Sequence, residues 1–134
     1  MGIPLTRPLK PNPLRLVYVG KLPDMHRARV GQQWRVQWWA KQKALKQFGS
    51  LPRQERRRAD VCITRVLGPR ERLMDEDKNL QWACGGLVDA MVTGGYLAGD
   101  DPKHAGFSFR QDASRRTIGP LIEVVITYDD HGDE

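Results

Sequence analysis

Residues 14–20, LRLVYVG, alternate: Leu14, Leu16 and Tyr18 fall on one side among β-branched neighbours, which predicts a strand. From about Arg29 to Phe48 the period becomes helical. Val30, Trp34, Trp38, Leu45 and Phe48 share one stripe, and Arg35, Lys43 and Lys46 share another. On this spacing Trp34 and Trp38 belong to the core. Trp39 lies off the stripe among cations and is a candidate for base stacking. Lys41 lies beside the apolar stripe, where its stem can snorkel, and Gly49 ends the helix.

ADVCITRVLG (59–68) alternates again, with Val61 and Ile63 set against Cys62 and Thr64, and predicts a second strand. Asn79 to about Val92 predicts a second helix, with Leu80, Leu87, Val88 and Met91 apolar and Gly94-Gly95 as its stop. AGFSFRQ (105–111) and GPLIEVVITYD (119–129) are two more strands joined by the polar turn DASRRT. The order β-α-β-α-β-β, with an antiparallel closing pair, predicts a single α+β domain: two helices over a mixed sheet. Residues 1–13 hold four of the nine prolines and read as an extended arm; 14–128 form the domain and 129–134 an acidic tail.

A chain of 134 residues suits one core. No apolar run approaches the roughly 18–20 residues that span a bilayer, and MGIPLTRPLKPNP has no apolar signal region. A soluble, cytoplasmic protein with no membrane partner is expected. Cys62 and Cys84 sit in apolar segments and read as small buried residues; no zinc spacing or disulfide framework is present.

Charge narrows the partner. The 22 Lys+Arg outnumber the 16 Asp+Glu, and Asp129, Asp130, Asp133 and Glu134 all lie at the end, so the body is more basic than the net +6. Such a surface suits a polyanion, because each neutralised phosphate releases counterions.

Against this background the stretch MDEDKNLQWACGGLVDAM (74–91) gathers Asp75, Glu76 and Asp77, with Asp89 on the following helix and Asp100-Asp101 after a Gly-rich turn. If the segment is extended, Asp75 and Asp77 share one face. The chain can then fold back to bring Asp100 and Asp101 near them. Converging carboxylates repel unless a cation sits among them, and an all-oxygen set selects Mg²⁺, Mn²⁺ or Ca²⁺. Such an ion on a basic surface can polarise a phosphodiester and activate water. The alternative is ordinary: Asp77 or Asn79 as a helix cap, Asp89 as a surface acid, and GDDP as a turn.

The order D-x-D, N-L, a helix containing V-D-A-M, a Gly-rich turn and D-D-P-K-H resembles the RusA-type Holliday junction resolvases, especially their phage and prophage members, most closely from Asp75 to about Gln111. The resemblance implies a homodimeric, Mg²⁺-dependent endonuclease that cuts four-way DNA junctions in recombination and repair. Its metal-binding aspartates fall on Asp75, Asp77 and Asp101. Asp100 is an adjacent helper or turn residue, and Asn79-Leu80 matches the family's Asn-Leu. Two departures stand out. Lys78 intervenes where Asn follows the second Asp in the family, so the match can be aligned on the aspartates or on Asn79; only the former keeps two acids. The family's helix lysine falls on Gly85, leaving Lys78, Lys41 or Lys103 to supply a cation.

The expected function is a structure-selective DNA endonuclease with Mg²⁺ (or Mn²⁺) on Asp75, Asp77, Asp101 and Asp100, and Lys78 stabilising charge. Arg27, Arg29, Arg35, Lys43 and Lys46 would contact phosphates. The alternative is a DNA-binding relative that has lost its chemistry with the helix lysine; a basic interaction domain with no DNA role is a third class. His26 and His104 sit in cation-rich loops and read as phosphate contacts or surface residues.

Overall fold

A computed structural model describes residues 12–23, 31–52 and 54–129; within these, the side chains of Glu76 and Asp77 lie outside the description. The order is β1 (Leu14–Val19), α1 (Gln33–Phe48), β2 (Ala59–Val66), a π-helical turn (Glu76–Leu80), α2 (Gln81–Ala83), α3 (Gly85–Thr93), β3 (Ala105–Asp112) and β4 (Leu121–Tyr128). The expected single α+β domain with a mixed sheet is present, with its second helix in pieces.

In space the strands run β1-β4-β2-β3; β4 is antiparallel to both its neighbours and β2 is parallel to β3. The closing strands β3 and β4 therefore run in opposite directions, as expected, but are not paired: β2 lies between them. Their connection passes the end of β2. Arg116 Nη1 donates to the Gly68 and Glu71 carbonyls, both at 2.7 Å, and Arg115 grips Glu123 of β4 through two bonds of 2.8 and 2.7 Å while its Nε holds Asp112 at 2.8 Å.

Alternation assigns the two sheet faces. Tyr18, Val61, Ile63, Val124 and Ile126 point inward and pack with Ala44, Leu80, Leu87 and Met91 from the helices. Arg15, Asp60, Thr64, Ser108 and Thr127 line the opposite face. Cys62 is on that face and only half-buried, whereas Cys84 is buried, as expected of both; burial pushes its thiol up to about 12. Asn12, placed in the arm by its neighbouring prolines, extends the sheet: its amide donates to the Tyr128 carbonyl at 3.0 Å and accepts from the Tyr128 N–H at 2.9 Å.

Helix α1 departs most from the hydrophobic pattern. It starts at Gln33 rather than near Arg29, and Trp34 and Trp38 are on the surface with Trp39. Leu45 and Phe48 pack against the core as expected, but in place of the indoles the buried positions are the small residues Ala40 and Ala44. The reason lies in α3: a Cβ built at Gly86 would sit 2.7 Å from the Gln37 carbonyl oxygen, 2.9 Å from Ala40 Cβ and 2.9 Å from the Lys41 nitrogen. The two backbones approach so closely that no indole fits between them.

The Arg115 network gives a pH dependence. The Ser114 hydroxyl and N–H, with Arg115, hold the Asp112 carboxyl down to about 2, and Arg115 holds Glu123 below its ordinary value. Folded values that are depressed stabilise above the ordinary carboxylate range, near pH 4, and the contribution is lost as pH falls toward 2. The difference in unfolding midpoint between wild type and Arg115→Ala is therefore expected to be full at pH 5 and to shrink toward pH 2. A constant difference across that range would rule the network out as its cause.

Candidate functional site

The inner face of β3 is only partly covered. Its Phe107 and Phe109, stacked at 6.3 Å, are among the residues lining a groove of about 730 Å³. Gln81, Trp82, Gly85, Val88 and Asp89 wall the helix side. Arg58, Asp100 and Pro102 gather near Ala105, with Arg58 Nη1 bonded to Asp60 at 3.0 Å and its Nε donating to the Pro102 carbonyl at 3.4 Å.

Beyond the groove's other end a buried clamp holds the acidic segment. Gln111 follows Phe109 on the same strand face; its Oε1 accepts from the Met74 N–H at 2.8 Å and its Nε2 donates to the Met74 carbonyl at 2.7 Å. Arg65, paired with Gln111 across the parallel ladder, donates to Gln111 Oε1 at 2.7 Å and to the Arg72 carbonyl at 2.9 Å, and meets Glu71 at 3.4 Å. Among the described residues no buried side-chain nitrogen or oxygen is left unpartnered. Asp75 follows Met74 directly. Arg65 was a missed signal: it is a cation at an inward position of an alternating apolar strand.

Downstream of Asp75 the chain makes a turn of unusual width. The Leu80 N–H donates to the Asp75 carbonyl at 2.8 Å, closing a five-residue step. A π turn carries one residue more than an α turn. Lys78 lies within this turn and is exposed.

The helix breaks at Cys84, between α2 and α3, where one continuous helix was expected. The cause is Gln37 of α1. Its Nε2 donates to the Trp82 carbonyl and its Oε1 accepts from the Gly86 N–H at 2.8 Å, the two groups that an unbroken helix would join to each other. Gly85, where the resemblance puts a lysine, lines the groove beside this insertion.

The acid pair after the Gly-rich turn divides. Asp101 Oδ1 accepts from the Lys103 N–H at 3.0 Å and the His104 N–H at 3.2 Å and lies 2.8 Å from His104 Nδ1. Desolvation pushes the Asp101 carboxyl up, but these His104 and Lys103 bonds outweigh it, and the group lies below its ordinary value. Asp101, expected as a ligand, is thus engaged in its own turn, while Asp100, expected as the helper, lines the groove with Asp89.

The expected convergence of Asp75 with Asp100 and Asp101 is not what the backbone arranges. The Asp101 carbonyl bonds the Ala105 N–H at one end of β3, and Asp75 adjoins the Gln111 clamp near the other. The strand between them spans roughly 20 Å. Among the described residues no three His, Cys, Asp or Glu side chains are grouped to hold a metal ion. The Asp77 side chain, and His26, Arg27 and Arg29, lie outside the described residues. Arg35, Lys43 and Lys46 are exposed on α1, with the Lys43 ammonium 5.5 Å from the centre of the Tyr18 ring. Lys41 is half-buried and Lys103 exposed.

No helix among the described residues is long and apolar enough to cross a membrane. Compared with protein-family models, curated proteins and solved structures, the chain matches none.

Proposed function

We propose that this protein is a Mg²⁺-dependent endonuclease of branched DNA, acting in the cytoplasm on four-way junctions in recombination and repair. The observation that carries the proposal is the groove itself. On a body of net positive charge, Asp89 and Asp100 line a concave site with Arg58, and the same strand face leads to the clamped segment bearing Asp75 and Asp77.

The donor set fits a hard cation, because among the described residues lining the groove the strong ligands are the carboxylates Asp89 and Asp100. Mg²⁺ commonly keeps several waters and takes one or two protein carboxylates plus phosphate oxygens, so a ready three-acid cage is not required. Asp75 with Asp77 would hold one ion and Asp89 with Asp100 another, since the two pairs lie a strand's length of roughly 20 Å apart and share none; Mn²⁺ would serve as well. The ion supplies a polarised phosphate and an activated water. The chain's own residues position the strand: Arg58 beside Asp100 offers a guanidinium to a phosphate, and Phe107 and Phe109 give the groove an apolar floor. Arg35, Lys43, Lys46, Arg27 and Arg29 add sequence-independent phosphate contacts. A homodimer would set two grooves against opposed strands of a junction.

Gly85 favours a second reading, a protein that binds branched DNA without cutting it, because no lysine projects from that position into the groove. The two are separated by incubating end-labelled four-way junction and linear duplex of the same sequence with the protein in Mg²⁺. The nuclease cuts the junction and spares the duplex. Equal cutting of both would remove the structure selectivity, and binding without cutting would establish the second reading.

A further inference from the structure

Helix α1 packs through Gln37, Ala40, Ala44, Leu45 and Phe48 but leaves its three largest side chains, Trp34, Trp38 and Trp39, with 65%, 48% and 66% of their surface exposed. Exposed single apolar residues are ordinary, but three indoles within two turns of one helix, two of them in contact, form a patch, and such patches mark interaction sites.

Charge identifies the occupant. α1 carries Arg35, Lys41, Lys43 and Lys46 and no acid, so its outer surface is suited to a polyanion and disfavours a second copy of the same cationic helix. The rings are arranged as platforms. Trp38 and Trp39 meet edge to face, with centroids 5.0 Å apart and an interplanar angle of 81°, so the ring that supplies the edge keeps its faces clear of its neighbour. The Arg35 guanidinium lies 5.7 Å from the centre of the Trp34 ring. Trp34 precedes and Trp38 follows Gln37, the α1 residue that lines the groove, so a strand leaving the groove meets these indoles next.

We propose that the Trp34–Trp38–Trp39 face of α1 is a stacking shelf for unpaired nucleotides, binding single-stranded nucleic acid through base–indole stacking with Arg35, Lys41 and Lys46 on its phosphates. Duplex DNA, whose bases are already stacked, offers the shelf only its backbone. The inference borrows from the proposed function only the identity of the polyanion; it is tested in EDTA, where nothing is cut, so either can fail alone.

The experiment titrates the full-length protein with a thymidine 15-mer and a uridine 15-mer in EDTA, following tryptophan fluorescence, beside a duplex of equal length. Saturable quenching by the single strands is expected, with affinity falling linearly in log salt by about 0.7 per phosphate neutralised. Each of Trp34→Ala, Trp38→Ala and Trp39→Ala is expected to weaken binding by roughly 10-fold, consistent with the usual strength of base–aromatic stacking. Phe at the same positions should restore part of it. These indoles are exposed, so circular dichroism and the unfolding midpoint should remain those of wild type. Absence of saturable quenching, or wild-type affinity in all three alanine variants, would overturn the shelf. So would a wild-type dimer that the alanine variants convert to monomer with single-strand affinity unchanged, since the face would then be an interface between copies.

Discussion

Gly85→Lys is expected to raise junction nicking by about 100-fold, the scale on which one well-placed charge-stabilising group acts in a catalytic site. A side chain has room there: the three atoms nearest a Cβ belong to the Gln37 side-chain tip, at 3.4 Å, an ordinary contact distance, and Gly85 already lines the groove. Placing an ammonium in that wall supplies the cation that the family's helix lysine would provide. Gly85 is the first position of α3, where the glycine penalty of a helix interior does not apply in full, so the variant should fold about as well as wild type. Initial nicking rates at saturating junction measure the effect. A folded Gly85→Lys protein with an unchanged rate would show that no scissile phosphate passes this wall.

One residue later the same helix has no such room. Gly86→Val is expected to destabilise the protein by about 3 kcal/mol, at the upper end of what overpacking costs. Its Cβ would fall within 2.9 Å of backbone and Ala40 Cβ in α1, and neither backbone is a flexible tip that can swing aside. The helices must separate, and the Gln37 amide then loses its Gly86 partner. An unfolding midpoint lower by roughly 10 °C is expected, with Gly85→Val far milder. Equal effects at the two glycines would mean that the penalty comes from helix propensity, not from close helix contact. By propensity alone both glycines weaken a helix. The structure separates them into one that permits close packing and one that faces the groove.

The strands were legible because alternation of the Leu14-Leu16-Tyr18 and Val61-Ile63 kind is enforced by a sheet buried on one face. Their order was not: nothing local to β3 and β4 reveals that β2 separates them, since the order lies in the β2–β3 and β2–β4 ladders, with Arg116 reaching back to Gly68 beyond β2. The helical stripe on α1 misled because hydrophobic periodicity assigns large apolar residues inward. Here the inward face is set by a glycine fifty residues away. At the site, the acids near the groove were visible in the sequence, but the division of labour between Asp100 and Asp101 depends on one turn's hydrogen bonds. The buried Arg65–Gln111 clamp joins two strands distant in sequence, so only the parallel pairing reveals it.

The central claim is that the acid segment and the groove cut DNA. It is tested most directly by mapping cleavage of an end-labelled four-way junction by wild type and by Asp77→Asn, each with Mg²⁺ and with EDTA. Symmetric cuts by wild type in Mg²⁺, none in EDTA, and a rate lower by at least about 100-fold in Asp77→Asn are predicted, in keeping with loss of a charge-stabilising group. Tight junction binding with no cut by either protein would contradict the account and leave a protein that holds branched DNA without breaking it.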